Sequence, residues 1–295
     1  MSQARLMDGT GLARRIVEDA SKRAADLTVR TGARPCLATV LVGADPASVT
    51  YVRMKQNRCR RAGIESRRVE LPAATTTGEL VGTLRALSED PGVHGILLQH
   101  PMGEHIDERA AFEAISPEKD VDGVTFASFA TMSFGLPGFV SCTPGGIMRL
   151  LDEYGVDPSG RRAVVVGRSA ILGKPVGMLL LGRDATVTYC HSRTRDLPSV
   201  VREADIVVAA VGRPRLIRGE DIRPGAVVVD AGYNPGNIGD VDFGSAVERA
   251  GLITPVPGGV GPMTIATLLE QTVEAAARQL GPVPRTGSAD SRGTA

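Results

Sequence analysis

The feature that most constrains the fold is an alternation of short apolar runs with stretches of helical periodicity along almost the whole chain of 295 residues. Strands separated by helices of this length form βαβ units, in which successive strands run parallel in one sheet. The runs fall into two sets, which predicts two separate sheets and an α/β fold. The first set is residues 36–43, 65–71 and 95–99, and the second is 161–167, 185–192, 205–212, 226–234 and 252–259.

The segments around these sets predict the domain organisation. A chain of this length is expected to form two domains. A connection rich in Gly and Pro, SFGLPGFVSCTPGG at 133–146, lies between the two sets and is the expected hinge. Helical periodicity occurs near 10–31, over about 46–62, and again from Met263 towards the end of the chain. Residues 283–295 have the composition of a disordered tail.

The nearly equal numbers of basic and acidic side chains argue against nucleic acid and membrane as binding partners. With 34 basic and 33 acidic side chains the net charge is +1, which gives no field that would attract nucleic acid or an anionic membrane. No apolar run reaches the ~18 residues of a membrane-spanning helix, and the first residues lack the apolar stretch of a signal peptide. We therefore expect a cytoplasmic protein that binds neither nucleic acid nor membrane.

The cysteines argue against a metal or disulfide framework. They are widely scattered, and no two have the spacing typical of a zinc site or of paired disulfides. Free cysteine is among the most buried residue types, so we expect four small buried thiols and no metal site. The four positions are 36, 59, 142 and 190.

Phosphate binding is suggested by the segment VVVGRSAILGKPVG at 164–177, where a strand ends in glycine and a helix begins. Free N–H groups at such a helix start can hold a phosphate. A nucleotide-triphosphate loop is excluded, because five residues separate Gly167 from Gly173 and Pro175 replaces the Ser or Thr that would bind magnesium. The glycines, including Gly177, do not match the dinucleotide pattern literally, so a tight turn that needs glycine remains an alternative.

The end of the next strand, CHSRT at 190–194, bears on the choice of dinucleotide. NAD sites usually place an acidic residue about 20 residues beyond the glycines to bind the ribose hydroxyls. Here Ser192 and Arg193 stand instead, and a hydroxyl with a guanidinium suits a 2′-phosphate, which Arg168 could also serve. The sequence therefore favours NADP over NAD, although each arginine alone is equally consistent with a solvated surface charge.

One lysine in the first half is a candidate proton carrier. The cap Asp45, followed by Pro46, predicts a helix on which Ser48, Tyr51 and Lys55 share a face. A buried lysine can lose its proton, whereas arginine cannot, and this chain uses lysine at only four positions. A surface lysine covering the helix with its aliphatic stem is the alternative.

Three further stretches are expected near the same pocket. Gln99 ends an apolar run, at the carboxyl edge where parallel sheets bind ligands. The loop SPEKDVDGV at 116–124 carries Asp120 and Asp122, although two acids before a glycine are equally typical of a plain turn. The segment PVPGGVGPMTI at 255–265 suggests close approach of backbone to a ligand, with an ordinary helix start as the alternative.

Nine stretches, found in order between about residues 5 and 282, carry a family resemblance: SVTYVRMK, GILLQHPMGEHID, PEKDVDG, CTPGG, VVVGRSAILGKPVG, TVTYCHSRT, VVVDAGYN, GDVDF and PGGVGPMTI. Together they resemble the bifunctional methylenetetrahydrofolate dehydrogenase/cyclohydrolase family. The resemblance implies a folate-binding catalytic domain of residues 1–140 plus 264–282, and a Rossmann-like NADP domain of residues 141–263 with a doubly wound parallel sheet. It places the tetrahydrofolate derivative in a cleft between the two domains and implies a homodimer.

The resemblance also implies roles for individual residues. In this chain Lys55 matches the catalytic lysine, Tyr51 a ring that stacks on the folate, Gln99 the partner that tunes the lysine, and Asp122 the acid that holds the pterin. Ser48 shares the face of this lysine and is a substrate-binding candidate. The resemblance also implies a substrate wall of Pro257, Gly258 and Gly259 and NADP contacts at Gly167, Arg168, Ser169 and Ser192. The predicted NADP site further includes Arg193, from the argument above, and Tyr233, at a position that usually meets the cofactor in the family.

Several departures from the family pattern leave alternatives open. His100 to Gly103 differ from the usual loop after Gln99, the stretch 124–135 lacks the usual Asn and Gly-Arg or Gly-Lys, Ser141 replaces a proline, and Tyr233 replaces an aliphatic residue. A dehydrogenase without cyclohydrolase activity and a non-catalytic paralogue that binds folate or NADP are therefore alternatives to the bifunctional enzyme. A more distant one is a two-domain dehydrogenase of small hydroxy or amino acids.

Overall fold

The computed structural model describes residues 3–43, 56–100 and 102–281. The described chain forms two parallel sheets flanked by helices, which confirms the predicted α/β fold. Every predicted apolar run contains an observed strand.

The smaller sheet is built by the first half of the chain. Its strands β2 (Cys36–Val42), β3 (Glu65–Leu71) and β4 (Gly95–Leu98) lie in the order β3-β2-β4, and both pairs are parallel. Helices α1 (Gly9–Thr31) and α3 (Thr77–Glu89) of this half begin at well-formed caps. The Asp8 carboxylate accepts the first N–H groups of α1, and Thr76 forms a capping box at α3.

Both faces of the smaller sheet are covered by apolar side chains. One face packs against three helices: α1, the helix Val260–Leu280, and helix α2, of which residues 56–61 are described. The other face packs against α3 and the short helix α4 (Glu108–Phe112). The central strand β2 is buried along its whole length, as expected for a strand between two layers of helix.

The larger sheet is built mainly by the second half of the chain. Its strands are β5 (Arg162–Val166), β6 (Thr186–Cys190), β7 (Ile206–Ala209), β8 (Val227–Asp230) and β9 (Leu252–Ile253), joined by the two-residue strand β1 (Arg5–Leu6) at the edge. All pairs are parallel, in the order β1-β9-β8-β7-β5-β6.

The strand order of the larger sheet identifies its topology. With β5 to β9 counted as strands one to five, the order is 2-1-3-4-5, one of the two common doubly wound arrangements. The chain reverses direction across the sheet between β5 and β7, which is the topological switch point. Ligands of such sheets bind beyond the carboxyl ends of the strands at this point, so the fold itself selects one edge for the cofactor.

The helices of the second half lie on both faces of the larger sheet. Val165, Val208 and Val229 point into a core on one face, whereas Val164, Val207 and Val228 point into a core on the other.

The helices that follow α4 are α5 (Phe126–Ser133), α6 (Cys142–Glu153), α7 (Gly173–Leu181), α8 (Leu197–Arg202), the 3₁₀ turn Gly219–Asp221, α9 (Phe243–Ala246) and α10 (Val260–Leu280).

Helix α10 connects the two halves. It packs against α1 and α6, and its residues contribute to the cores of both sheets. Gln271, on α10, is buried; its Nε2 donates to the carbonyls of Val121 (2.8 Å) and Val140 (3.0 Å), and its Oε1 accepts the Val140 N–H at 3.1 Å. A single side chain therefore ties α10 to two points of the segment between the sheets, residues 121 and 140.

The expected hinge at 133–146 is partly helical. Helix α6 begins at Cys142, so CTPGG forms its first turns instead of a loop. Proline is accepted there because its missing N–H has no helical partner in the first turn. A Cβ on Gly145 would approach Val140 Cγ2 to 2.7 Å, and one on Gly146 would approach Met263 Cβ to 2.8 Å, so both glycines serve close packing.

Other expectations concern thiols, metal and membrane. All four cysteines are buried, as predicted. Within residues 3–43, 56–100 and 102–281, no group of three or more His, Cys, Asp or Glu side chains is placed to hold a metal ion. None of the helices in this part of the chain is both long and apolar enough to span a membrane. The predicted tail, 283–295, lies outside the described residues.

Candidate active site at the carboxyl ends of the two sheets

Gly167 follows β5 at the switch point of the larger sheet. Its φ is +132°, its N–H donates to the carbonyl of Cys190 at 2.9 Å, and a Cβ would overlap the carbonyl oxygen of Ala210 after β7. Only glycine allows the two loops to approach this closely. The glycine therefore has a structural cause, and it leaves backbone open at the edge where a dinucleotide is expected.

The loop after Gly167 leads into helix α7 and leaves two polar side chains exposed. Arg168 and Ser169 are both exposed. The Ser169 hydroxyl accepts the N–H of Gly173 at 3.2 Å, and its carbonyl accepts that of Lys174 at 3.0 Å. A guanidinium and a hydroxyl beside the start of a nine-residue helix form a suitable environment for a phosphate.

Gly177, the third glycine of the segment, has a packing role. A Cβ on Gly177 would overlap the ring of Tyr189, which lies on β6, and the Tyr189 hydroxyl donates to the carbonyl of Lys174 at 2.8 Å. Burial raises the pKa of Tyr189. The glycine therefore permits close packing of helix on strand, which is the role of the third glycine in dinucleotide-binding domains.

The turn after β6 presents the residues expected to contact the 2′-phosphate. Ser192 and Arg193 are exposed. The turn is held from within, because the His191 N–H donates to the Thr194 hydroxyl at 2.8 Å and the Arg193 N–H donates to His191 Nδ1 at 3.2 Å. The side chains of both predicted residues therefore remain available at the same edge as Gly167.

Two more predicted segments follow β8 and β9. Tyr233, after β8, is 79% exposed. Pro257 is exposed, whereas Gly259 is buried. The carbonyl of Gly258 accepts the N–H groups of Gly9 at 2.9 Å and Thr10 at 3.1 Å, so the predicted substrate wall is anchored to the start of α1.

In the smaller sheet, Gln99 stands directly after β4. Its N–H donates to the carbonyl of Val40 at 2.9 Å, its Nε2 donates to the carbonyl of His100 at 2.7 Å, and the side chain is half-buried. His100 and Met102, beside it, depart from the family pattern, and both side chains pack against neighbouring residues. The ring of His100 lies 5.1 Å from that of Phe112, and Met102 is a core residue.

The two acids of the loop 116–124, Asp120 and Asp122, lie in different environments. Asp120 is fully buried, and its carboxylate accepts the Thr125 N–H at 2.9 Å, the Val124 N–H at 3.0 Å and the Ser128 hydroxyl at 2.6 Å. Asp120 therefore fixes the start of α5, and Ser128, one of the family departures, is its hydrogen-bond partner. Asp122 is half-buried.

The backbone around Asp122 is fixed by the start of α6. The carbonyl of Asp122 accepts the Cys142 N–H at 3.2 Å, and the hydroxyl of Ser141, another departure, donates to the carbonyl of Gly123 at 2.8 Å. Gly123 has φ +67°, and a Cβ there would lie 2.5 Å from the Ser141 nitrogen. Ser141 therefore contributes to the structure of this loop.

The predicted helix with the candidate lysine is described only at its end. Ser48, Tyr51 and Lys55 lie outside the described residues, and the adjoining residues 56–61 are helical. The described candidates all follow the carboxyl ends of parallel strands or lie in the loop after β4: Gln99, Asp122, Gly167, Arg168, Ser169, Ser192, Arg193, Tyr233, Pro257, Gly258 and Gly259.

Sequence reasoning missed two buried acids of this region. Asp230 ends β8, and Asp240 follows ten residues later. Both lie in stretches that carry the family resemblance, VVVDAGYN and GDVDF, but their separation along the chain conceals that they meet.

Comparison with protein-family models matches both halves. Residues 7–122 match the catalytic domain of tetrahydrofolate dehydrogenase/cyclohydrolase, and residues 141–280 match its NAD(P)-binding domain.

Two curated relatives are similar over almost their whole length. The bifunctional protein FolD 1 of Streptomyces avermitilis is 77% identical over 278 residues, which are 94% of this chain and 97% of that protein. The bifunctional protein FolD 1 of Salinispora arenicola is 68% identical over 275 residues, 93% of this chain and 99% of that protein.

Solved structures show the same architecture. The bifunctional FolD enzyme of Campylobacter jejuni superposes with a TM-score of 0.90 at 42% identity, covering 92% of this chain and 98% of that one. The FolD of Trypanosoma brucei, solved with NADP and an inhibitor, gives a TM-score of 0.90 at 40% identity, covering 94% and 99%. The chain belongs to the tetrahydrofolate dehydrogenase/cyclohydrolase family.

Proposed function

We propose that this protein oxidises 5,10-methylenetetrahydrofolate to 5,10-methenyltetrahydrofolate with NADP and then hydrolyses the methenyl form to 10-formyltetrahydrofolate. The observation that carries the proposal is the 77% identity, over 94% of the chain, with a protein named as bifunctional. The geometry supports it, because Gln99 and Gly167 directly follow the carboxyl ends of parallel strands, one in each sheet.

The cofactor site has the features that NADP requires. Gly167 gives the backbone close approach that a pyrophosphate needs, and the exposed side chains of Arg168 and Ser169 stand at the start of α7 to hold it. Ser192 and Arg193 would hold the 2′-phosphate, and Tyr233 would lie at the nicotinamide end. Bound there, the cofactor would supply the acceptor for the hydride of the one-carbon bridge.

The oxidation step mainly requires alignment. Loss of hydride from the methylene bridge leaves a cation shared by two nitrogens, so the protein needs to hold the two reactants in close contact and needs no strong base. Asp122 holds the pterin, Tyr51 stacks on it, and Ser48 with Pro257, Gly258 and Gly259 forms the rest of the substrate site. These contacts set the distance over which the hydride moves.

The hydrolysis step requires proton transfer. Water adds to the methenyl carbon and gives up both of its protons: the nitrogen at position 5 gains one as its bond to that carbon breaks, and the other is released to solvent as the 10-formyl carbonyl forms. Lys55, which matches the family's catalytic lysine, moves these protons, with Gln99 as the residue that tunes it. Lysine serves here because it exchanges a proton when desolvated, as arginine does not.

The domain division, assembly and location complete the proposal. Residues 1–140 with 264–282 form the catalytic domain, and residues 141–263 form the NADP domain. The protein acts as a homodimer in the cytoplasm, and its 10-formyl product supplies one-carbon units to purine biosynthesis.

One assay tests the proposal. Purified protein is given 5,10-methylenetetrahydrofolate and NADP, and the absorbance of NADPH and of the methenyl form is followed, then the decay of added methenyl form without cofactor. We expect both activities. NADPH formation without accelerated methenyl decay would show a dehydrogenase alone, and neither activity would show a non-catalytic binding protein.

A further inference from the structure

Two carboxylates that the proposed chemistry does not use lie buried at the cofactor edge of the larger sheet. Asp230 is 3% exposed and Asp240 is 0% exposed. They are in contact, because the N–H of Asp240 donates to Asp230 Oδ1 at 3.0 Å. Buried carboxylates are costly unless they accept several hydrogen bonds, so their partners indicate what they hold in place.

Asp230 fixes the chain as it returns after β8. Its carboxylate accepts three backbone N–H groups, from Gly232 (2.9 Å), Asp240 (3.0 Å) and Val241 (2.9 Å). A Cβ on Gly239 would overlap Asp230 Oδ2, so the backbone lies directly on this carboxylate. Burial raises the pKa of the Asp230 carboxyl, and the nearby charge of Asp240 adds to the effect, whereas the three N–H groups oppose it.

Asp240 reaches two loops instead of one. Its Oδ2 accepts the N–H groups of Val211 (2.6 Å) and Gly212 (2.9 Å), which follow β7. Its Oδ1 accepts Asn234 Nδ2 at 3.1 Å, and the same Nδ2 donates to the carbonyl of Ile238. One carboxylate therefore sets the relative position of the loop after β7 and the loop after β8.

The loop after β7 borders the place where the chain reverses across the sheet, and the loop after β8 follows the neighbouring strand. The loop after β7 begins at Ala210, whose carbonyl oxygen packs on Gly167, and this contact leaves no room for a side chain at the glycine. The loop after β8 carries Tyr233, which is exposed immediately before Asn234. A shift of Asp240 would therefore move the backbone beside Gly167 and the ring of Tyr233 together.

We propose that Asp240 is a positioning residue for NADP, acting through the N–H groups of Val211 and Gly212 and through the side chain of Asn234. The inference rests on the proposed function, because it takes NADP to bind at this edge. It adds a residue that contacts no cofactor atom itself and that sets the shape of the surface on which the nicotinamide half lies.

The Asp240→Asn variant tests the inference. In either orientation its amide presents a donor to a donor, since the N–H pair of Val211 and Gly212 lies on one side and Asn234 Nδ2 on the other. We expect NADP to bind about tenfold more weakly, as for the loss of one charged hydrogen bond, with a matching rise in KM for NADP. The cyclohydrolase rate, measured on methenyltetrahydrofolate without cofactor, should stay within about twofold of wild type.

The matched control is Asp221→Asn. Asp221 is also a buried carboxylate of the larger sheet's domain and accepts the N–H of Arg218, but it lies in the 3₁₀ turn between β7 and β8, away from the switch point. It should lose stability without losing NADP affinity. Wild-type affinity in Asp240→Asn, or an equal loss in both variants, would overturn the inference.

A second variant, Asn234→Ala, tests the same inference if Asp240→Asn does not fold. Asn234→Ala removes the side-chain bonds to Asp240 and Ile238 and keeps the carboxylate. We expect it to weaken NADP binding by several-fold with the cyclohydrolase intact, and unchanged binding would contradict the role of Asp240. Equilibrium binding of NADP is measured without turnover, so the result is independent of whether the wild-type protein shows both proposed activities.

Discussion

The two sheets build their carboxyl edges in different ways. At the larger sheet, close glycine packing, as at Gly167 beside Ala210, and the buried Asp240 bring loops together, and polar side chains such as Arg168 and Ser192 are left exposed. At the smaller sheet, buried polar side chains hold the loops, above all Asp120 with its three donors. A surface made by backbone suits a ligand with phosphates, whereas a loop fixed by side chains can hold a single acid such as Asp122 in a defined place.

The largest effect is expected at the smaller sheet's side of the site. Lys55→Met removes the proposed proton carrier and should reduce the cyclohydrolase rate to below about 1% of wild type, while leaving measurable dehydrogenase activity. The rates of methenyl decay and NADPH formation measure this. Lys22→Met, a change at an exposed lysine of α1, is the control. Equal retention of both activities would remove Lys55 from its role.

A large effect of the opposite kind is expected at the larger sheet. Gly167→Ala forces a Cβ into the carbonyl oxygen of Ala210 at φ +132°, which costs about 1–3 kcal/mol and displaces the two loops. NADP titration should show weaker binding, with the cyclohydrolase retained. Gly155→Ala is the matched control, since Gly155 also has positive φ (+68°) but no atom near its Cβ position. Equal effects of the two variants would show that strain alone is responsible.

A moderate effect on the free energy of unfolding is expected for Asp120, but a smaller one for Asp122 in the same loop. Asp120→Asn should lower the free energy of unfolding by about 2 kcal/mol, because it leaves a buried donor unmatched among Val124, Thr125 and Ser128. Asp122→Asn should instead raise KM for the folate with a smaller loss of stability. Urea unfolding and steady-state kinetics on both variants decide this, and the reverse pattern would exchange the assigned roles.

The smallest effect concerns pH and the other edge of the smaller sheet. His94 is buried, its Nδ1 accepts the Cys36 N–H at 3.1 Å, and burial lowers its pKa, with the Lys119 charge adding to the shift. As the pH falls from about 7, the unfolded chain therefore binds the proton first, and the free energy of unfolding decreases by at most about 1.4 kcal/mol per pH unit. His94→Asn should flatten the decrease, and an identical pH dependence in both proteins would contradict it.

Most strands could be predicted from the sequence, because a sheet covered on both faces needs continuous apolar runs such as Val164–Val166. The start of α6 was missed because CTPGG has loop composition, and its glycines are needed for contact with Val140 and Met263, which sequence spacing does not reveal. Strand β1 has only two residues and is defined by its pairing with β9 alone.

The residues of the candidate site also differ in whether they could be predicted from the sequence. Residues in glycine-rich or strand-ending motifs, such as Gly167 and Gln99, could be predicted, since their position follows from the topology. The contact between Asp230 and Asp240 could not, because it depends on how the hairpin between Asn234 and Ile238 folds back. Asp120 and Asp122 look the same in sequence, and the structure alone shows that Asp120 is fully buried whereas Asp122 is half-buried.

The ratio of the cyclohydrolase rate to the dehydrogenase rate, measured in Lys55→Met and Gly167→Ala from matched preparations, tests most directly whether the two sheets serve separate steps. The ratio should fall at least about a hundredfold in Lys55→Met and rise in Gly167→Ala at subsaturating NADP. A ratio that stays at the wild-type value in both variants, with the two activities falling together, would contradict the division of chemistry between the sheets.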